Sequence, residues 1–322
     1  MSFIFLIIGF VFLIKGADLF VEGAASIAKK FNVPAMVIGL TVVAMGTSAP
    51  EAAVSITSSL AGQNDMSVAN VVGSNFFNIL VVLGVSSIIA TLPVEKNTIK
   101  KDTPFLLIVS GLLLLFGINL RISRVEGLIF LGLFIYFLIN TVKNAKNNAL
   151  DGEEEAAITA EVENVVEFSI PKTILLSVIG IAGIILGGDM VVDSATKIAT
   201  TLGMSANLVG LTIVAVGTSL PEFVTSIVAI RKGETEIAIG NVIGSNLFNI
   251  LLVLGLATSI KPITISMFAL FDIAFMVLVT ILLYLFMKKN NSLVRKQGII
   301  LVAIYIVYMV YTIIREWKLY IK

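Results

Sequence analysis

Ten long apolar segments follow one another along the chain, separated by short polar stretches. Each is long enough for a helix that crosses a lipid bilayer, which takes about 20 predominantly apolar residues. The predicted helices cover residues 2–28, 34–61, 66–91, 103–120, 125–143, 172–199, 205–231, 236–260, 268–287 and 297–315. The pattern therefore predicts an all-α integral membrane protein that crosses the cell membrane ten times.

The sequence repeats itself at a constant distance of 171 residues. Residues 39–84 and 210–255 are identical at 25 of 46 positions without a gap. The repeated unit holds five predicted helices, an odd number, so the second copy must enter the membrane from the opposite side. Two inverted five-helix repeats are common in secondary transporters, and we expect them here as residues 1–143 and 171–322.

The two predicted repeats are joined by the one long hydrophilic stretch, residues 144–170. This stretch is acidic but lacks the ligand spacing of a calcium-binding EF-hand loop. A flexible cytoplasmic linker is the expected role. With the N-terminus outside, the connections predicted to be cytoplasmic hold 14 Lys and Arg residues and the outside segments hold 7. The positive-inside rule therefore places both termini outside.

Composition narrows the possible functions. The chain is 57% hydrophobic and 13% charged, its net charge is +1, and it contains no Cys and no His. Nothing here favours a nucleic-acid partner. A thiol nucleophile, a disulfide framework and the usual zinc sites are excluded, and an intramembrane enzyme is disfavoured. The first 14 residues are apolar and precede Lys15, the reverse of a signal peptide, so we expect a retained helix.

One acidic motif lies inside an apolar segment of each repeat: GTSAPE at 46–51 and GTSLPE at 217–222. A carboxylate near the middle of a membrane costs about 2.5–3.5 kcal/mol on insertion scales and needs a partner. Lys15 is the one basic residue well inside a predicted helix, and it has acids nearby at Asp18 and Glu22. The expected counter-charge for Glu51 and Glu222 is therefore a bound cation.

A proline precedes each of these glutamates. Because Pro50 and Pro221 have no N–H, the carbonyls of Gly46 and Gly217 lose their helical partners. Broken backbone at membrane depth persists where it lines a cavity or is otherwise satisfied. Four hydroxyl side chains of the same motifs complete an expected all-oxygen site: Thr47, Ser48, Thr218 and Ser219.

A second motif, N-x-x-G-S-N-x-F-N, occupies 70–78 and 241–249. Ser74 and Asn78 are four residues apart and share a helix face, as do Ser245 and Asn249. These side chains are either ligands or polar contacts between helices. Two carboxylates give the predicted site a charge of −2, which one divalent or two monovalent cations balance. Hard oxygen ligands suit Ca²⁺, Na⁺ or Mg²⁺ and not copper or zinc, and flexible carbonyls and hydroxyls favour Ca²⁺ over Mg²⁺.

The paired motifs, present twice, resemble those of the sodium/calcium exchanger family of the cation/calcium antiporters. The resemblance implies that four motif-bearing helices surround one ion cluster. It also implies a specific set of ligands, which includes the backbone carbonyls of Ala44 and Ala215. The implied ligands are Glu51, Thr47, Ser48, Ser74, Asn78 and Ala44 from the first repeat, and Glu222, Thr218, Ser219, Ser245, Asn249 and Ala215 from the second.

The same resemblance implies a Na⁺/Ca²⁺ antiporter that works by alternating access, with three Na⁺ per Ca²⁺. The first and sixth helices would slide to open each side in turn. No cofactor is expected, since Ca²⁺ and Na⁺ are the transported substrates. A Ca²⁺/H⁺ antiporter and a passive channel are alternatives. A K⁺-dependent exchanger is a further alternative, but such exchangers carry Asp at the position of Asn249, so Asn here argues against a K⁺ requirement.

Overall fold

The structure is a computed structural model that describes residues 2–31, 33–60, 64–148, 168–203 and 215–320. It confirms the all-helical prediction. The helices of the first half are α1 (Ser2–Lys30), α2 (Ala35–Thr47), α3 (Ala49–Leu60), α4 (64–89), α5 (Thr103–Gly117, after a π-helical turn at Thr98–Asp102) and α6 (Arg124–Asn148). Those of the second half are α7 (Ile170–Thr201), α8 (Ala215–Gly217), α9 (Leu220–Arg231), α10 (Thr235–Ile260), α11 (Met267–Asn290) and α12 (Arg295–Tyr320).

Seven described helices are long and apolar enough to cross a membrane, and an eighth crossing results if the bent pair α2–α3 counts as one. Helix α5 is apolar but has 15 residues. The segment before α8 lies outside the described residues, as does most of the predicted linker, since α6 ends at Asn148 and α7 begins at Ile170. The protein is thus a multi-pass membrane protein, and the count of ten remains a prediction.

Four two-residue strands in the described chain link the ends of the helices. Strand β1 (Leu92–Pro93) pairs with β4 (Ser292–Leu293), and β2 (Arg121–Ile122) pairs with β3 (Ile263–Thr264). The register joins Leu92 to Leu293 in one pair and Ile122 to Ile263 in the other. Adding 171 to one partner and subtracting 171 from the other converts the first pairing into the second. The two strand pairs are therefore equivalent under exchange of the two halves.

Helices α1 and α7 pack backbone against backbone at glycines, and their contacts show the same exchange of partners. Gly16 and Gly180 in one contact correspond to Gly187 and Gly9 in the other. A Cβ atom added at Gly16 would lie 2.8 Å from the carbonyl oxygen of Gly180. One added at Gly187 would lie 2.7 Å from the carbonyl oxygen of Gly9. Small residues that let helix backbones approach this closely are typical of packing in membranes.

The motif-bearing helices occupy the middle of the molecule. In the most apolar stretch of α10, 94% of the residues are buried, and in that of α4 72% are, whereas α12 buries 17%. Helices that are buried all round form the core of a membrane protein, and the remaining helices present apolar side chains to lipid. The core of α4 and α10 is where the fold concentrates its buried polar side chains.

Candidate ion-binding site

Each glutamate lies just after a break between two helices. Helices α2 and α3 meet at 47° at Ser48, and Glu51 occupies the first turn of α3 behind Pro50. In the second half Ser219 precedes α9, and Glu222 occupies its first turn. The missing proline N–H explains why each helix breaks here. A helix N-terminus carries partial positive charge, so the first turn is a favourable place for a carboxylate.

The carboxylates of the two halves are held by hydroxyl groups from both halves. Glu51 Oε1 accepts hydrogen bonds from Ser219 Oγ at 3.1 Å and from Ser74 Oγ at 3.4 Å. Glu222 Oε1 accepts from Ser48 Oγ at 2.8 Å and from Ser245 Oγ at 3.4 Å. Both glutamate side chains are fully buried. The helix breaks thus bring the two GTSxPE motifs together.

Asn70 and Asn241, the first residues of the second motif, brace the glutamate helices. Asn70 Nδ2 donates to the backbone carbonyl of Glu51 at 3.3 Å and to Ser55 Oγ at 2.9 Å, and its Oδ1 accepts from Thr218 Oγ1 at 3.5 Å. Asn241 makes the twin set of contacts in the second half: its Nδ2 donates to the carbonyl of Glu222 and to Ser226 Oγ, and its Oδ1 accepts from Thr47 Oγ1 of the first half at 3.1 Å.

Asn78 and Asn249, the last residues of the second motif, lie in π-helical stretches of α4 and α10. Asn78 Nδ2 donates to Asn246 Oδ1 at 3.2 Å, and Asn249 Nδ2 donates to Asn75 Oδ1 at 3.1 Å. Wider π-helical turns are frequent at functional sites. The amide nitrogen of each side chain therefore donates to the other half, and its carbonyl oxygen accepts no hydrogen bond from the described residues.

Four buried oxygens of this cluster have no hydrogen-bond partner among the described residues: Oε2 of Glu51, Oε2 of Glu222, Oδ1 of Asn78 and Oδ1 of Asn249. A buried polar atom without a partner costs about 1–3 kcal/mol, and more if it is charged. Among the described residues, the hydrogen-bond donors to the carboxylates are serines, and none is a Lys or Arg. In the part of the chain that the structure describes, no three acidic side chains cluster. The cluster is therefore rich in oxygen and carries two acids, a donor set that suits a hard cation.

The predicted ligands fall into two groups in the structure. The serines donate hydrogen bonds to the glutamates, whereas Thr47 and Thr218 donate to the bracing asparagines. Thr47 also lies within reach of the Glu222 carboxylate. The carbonyl of Ala44 accepts a helical bond from the Ser48 N–H at 3.0 Å. Ala215 begins α8.

Four asparagines and two serines of the network were not among the predicted ligands: Asn70, Asn75, Asn241, Asn246, Ser55 and Ser226. Asn70 and its twin Asn241 could have been found from the sequence. Asn70 precedes Ser74 by four residues, as Ser74 precedes Asn78, and so lies on the same helix face.

Two acidic residues of α1, Asp18 and Glu22, pair with lysines outside the cluster. Lys15 Nζ is 3.7 Å from Asp18, as its local spacing predicted. Glu22 instead binds Lys232, which follows α9, at 2.8 Å. At the opposite end of the sequence Asp272 binds Arg315 through both carboxylate oxygens, at 2.9 and 3.1 Å.

The chain that forms this network matches the model of a known family. The family model described as sodium/calcium exchanger protein matches residues 1–143 and 172–314. The chain belongs to the sodium/calcium exchanger family. It is accordingly a membrane transporter of the cation/calcium antiporter type and not an enzyme, as predicted.

Relatives of this exchanger cover almost its whole length. The putative antiporter CaxA of Alkalimonas amylolytica is 41% identical over 309 residues, which is 95% of this chain and 96% of the relative. The sodium/calcium exchanger MaX1 of Methanosarcina acetivorans is 32% identical, with 96% and 97% covered. A solved structure of the sodium-calcium exchanger NCX_Mj superposes with a TM-score of 0.83 at 33% identity and covers 96% of this chain and 97% of its own.

Proposed function

We propose that this exchanger moves Na⁺ and Ca²⁺ in opposite directions across the membrane, at one central site built around Glu51 and Glu222. The observation that carries the proposal is the set of four unpartnered buried oxygens, two from these carboxylates and two from Asn78 and Asn249. Buried anionic oxygens without a cationic side chain beside them call for a bound cation. MaX1 and NCX_Mj are named as sodium/calcium exchangers, which favours Na⁺ and Ca²⁺ as the ions.

The charge of the cluster accounts for competition between the two ions. Two carboxylates balance one Ca²⁺ or two Na⁺, so either load neutralises the site. A third Na⁺, which the family resemblance implies, exceeds that balance by one charge and makes each cycle move net charge. We assign the remaining ligand oxygens to the hydroxyls of Thr47, Ser48, Ser74, Thr218, Ser219 and Ser245 and to the carbonyls of Ala44 and Ala215.

We further propose ten membrane-crossing helices in two inverted repeats that alternate access to the site. The exchange of partners seen in the strand pairs and in the glycine contacts of α1 and α7 supports this arrangement. A site on a pseudo-twofold axis in the membrane plane is equally reachable from both faces. Movement of α1 and α7 against the ligand-bearing helices would open one face at a time.

Ion flux into vesicles tests the exchange. Purified protein reconstituted into lipid vesicles should take up radioactive Ca²⁺ when an outward Na⁺ gradient is imposed, with no K⁺ present. Vesicles that contain the double variant Glu51→Gln/Glu222→Gln provide the control. Equal uptake driven by a proton gradient alone would favour a Ca²⁺/H⁺ antiporter. A strict K⁺ requirement would place the chain among K⁺-dependent exchangers, and uptake without any counter-ion would indicate a channel.

The proposed orientation can be tested separately, because the chain contains no Cys. A cysteine introduced at Asn148, the last residue of α6, should react with a membrane-impermeant maleimide from the cytoplasmic side alone. One at Asn64, the first residue of α4, should react from outside alone. The opposite labelling pattern would reverse the positive-inside assignment and place both termini in the cytoplasm.

A further inference from the structure

Helices α3 and α4 form a hairpin whose facing sides carry polar side chains in antiparallel pairs. Glu51 accepts a hydrogen bond from Ser74. Four residues further along α3, Ser55 accepts one from Asn70, which lies four residues back along α4. The hairpin of α9 and α10 repeats both pairs at the equivalent positions. In each half the pairs therefore lead away from the central cluster along the hairpin.

The next pair in this register differs between the halves. Ser58 and Ser67 lie three residues beyond the second pair on their helices, a spacing that keeps them on the same helix faces. Both serines are buried. The equivalent residues of the second half are Ala229 and Ala238, which are also buried. The row of polar pairs is thus one pair longer in the first half, and we call Ser58 and Ser67 the outer serine pair.

The hydroxyl of Ser67 lacks a partner in this position. Its side chain is fully buried, and its Oγ makes no hydrogen bond with the described residues. A buried polar atom is normally satisfied by protein, by water or by an ion, and it is costly when it is not. Alanine methyl groups at the equivalent positions need no such partner. Packing of the hairpin alone is therefore served by alanines, and the serines call for a further explanation.

The outer serine pair lies between the central cluster and the face at which α3 ends at Leu60 and α4 begins at Asn64. The positive-inside count places this face outside the cell. An ion that leaves the cluster along the hairpin towards this face passes Ser55 and Asn70 and then the outer pair. Along the other hairpin, towards the opposite face, the corresponding step passes two methyl groups.

We propose that the outer serine pair is a subsite for a hard cation, Na⁺ or Ca²⁺, on its way between the extracellular side and the central cluster. Hydroxyl oxygens replace part of the water around such an ion. Because they are neutral, they hold it weakly, which a transit site requires. The identity of the ion rests on the proposed exchange, whereas the site and its sidedness rest on the hairpin.

Cysteine accessibility tests the route, since the chain contains no Cys. Ser58→Cys and Ser67→Cys should each react from outside with a membrane-impermeant cationic methanethiosulfonate, measured by mass spectrometry of the protein in vesicles. Na⁺ or Ca²⁺ in place of choline should slow the reaction, and comparison of the two shows which ion occupies the subsite. Ala229→Cys and Ala238→Cys are the matched controls, for which we expect no protection by either cation from the cytoplasmic side.

Removal of one hydroxyl tests the role as a ligand. In vesicles that hold the protein in one orientation, Ser58→Ala and Ser67→Ala should each slow Ca²⁺ uptake from the extracellular side about fivefold when Ca²⁺ is below saturation, because each loses one neutral oxygen contact. The loss should shrink at saturating Ca²⁺, where entry no longer limits the rate. Ser110→Ala removes another buried hydroxyl without a described partner, on α5, and should leave uptake unchanged.

Three results would overturn the proposal. One is the absence of reaction from outside at both serine positions while a cysteine at Asn64 reacts. Another is equal protection by cations at the alanine positions, which would make the two hairpins equivalent. The third is uptake in Ser58→Ala and Ser67→Ala that matches Ser110→Ala at all Ca²⁺ concentrations. Labelling and protection as expected, without Na⁺-driven Ca²⁺ uptake, would support the subsite and contradict the proposed exchange.

Discussion

The ion cluster and the periphery of this exchanger differ in how far equivalent positions of the two halves keep the same contacts. In the cluster nearly every contact between the halves has a twin: Ser48 bonds to Glu222 as Ser219 bonds to Glu51. The exception is Asn75 Nδ2, which donates to the backbone carbonyl of Asn246, whereas Asn246 Nδ2 has no partner among the described residues. At the periphery the twins diverge. Lys100 corresponds to Phe271, and Lys232, which pairs with Glu22 on α1, corresponds to Ala61.

The difference follows from where the partners lie. A hydrogen bond that crosses between the halves in a buried cluster ties each side chain to one in the other half, and losing one partner leaves the other unsatisfied at a cost of about 1–3 kcal/mol. A surface residue has water or lipid as its alternative partner. Substitutions in the cluster are therefore coupled between the halves, whereas residues on each face of the molecule can differ independently.

The strongest test of the comparison removes one carboxylate at a time. Glu51→Gln and Glu222→Gln should each reduce Ca²⁺ transport to near background in the vesicle assay, because each halves the charge of the cluster. The twin geometry predicts equal losses. Glu126→Gln is a suitable control, since Glu126 accepts a hydrogen bond from the Ser123 N–H as a helix cap, away from the cluster.

Both variants should elute from size-exclusion chromatography like the unaltered protein. Full transport in either would exclude the central site. Loss in one alone would show that the halves contribute unequally.

The next largest effect is expected at the glycines between α1 and α7. Gly16→Ala would place a methyl group 2.7 Å from the Ile184 backbone nitrogen, and Gly187→Ala would place one 2.5 Å from that of Leu13. Backbone cannot move aside as a flexible side chain does, so each variant should lose about 1–3 kcal/mol of stability.

Thermal unfolding in detergent measures this loss. Gly132→Ala on α6 is the control, because no described atom lies within 4 Å of the added carbon. Midpoints unchanged in Gly16→Ala and Gly187→Ala would mean that the two helices are not packed this closely.

A subtler test asks whether the two amide oxygens of the cluster are equivalent. Asn249→Asp adds a third acid beside two carboxylates. The new group either stays protonated, which makes transport more sensitive to pH, or ionises and recruits another monovalent ion, which gives K⁺ stimulation.

Asn78→Asp should behave in the same way if the twins are interchangeable. Flux measured against pH and K⁺ concentration separates the outcomes. An unchanged ion dependence and pH profile in both variants would place these residues outside the cluster.

The smallest effect is expected at Lys232, whose ion pair has no twin. Its side chain is 28% exposed and that of Glu22 is 42% exposed, so the pair contributes at most about 1 kcal/mol. Lys232→Ala should therefore alter transport rates by no more than about fivefold. We expect the change to decrease at high salt, which screens exposed charges. Loss of transport comparable with that of Glu51→Gln would contradict this ranking.

The sequence was sufficient to single out Glu51 and Glu222 as a buried pair, because an acid in an apolar helix behind a proline has few structural explanations. That the pair binds a cation stays a prediction. The sequence also singled out the four serines that donate hydrogen bonds to the glutamates, although it named them as ion ligands. Asn75 and Asn246 were out of reach, since their partners lie on helices of the other half and no spacing within one helix reveals such a pairing. The π-helical turns at Asn78 and Asn249 were equally hidden, because one extra residue in a turn leaves the apolar pattern almost unchanged.

The crosswise hydrogen bonds of the cluster also bear on the direction of transport. Because the two halves supply equivalent groups to the cluster, the cluster itself favours neither direction of net transport. The ion gradients decide that direction. The two faces can still differ through features that occur once, such as the ion pair of Lys232 with Glu22. Such features would affect the rate of ion exchange at each face, while the equilibrium of transport is set by the ion gradients.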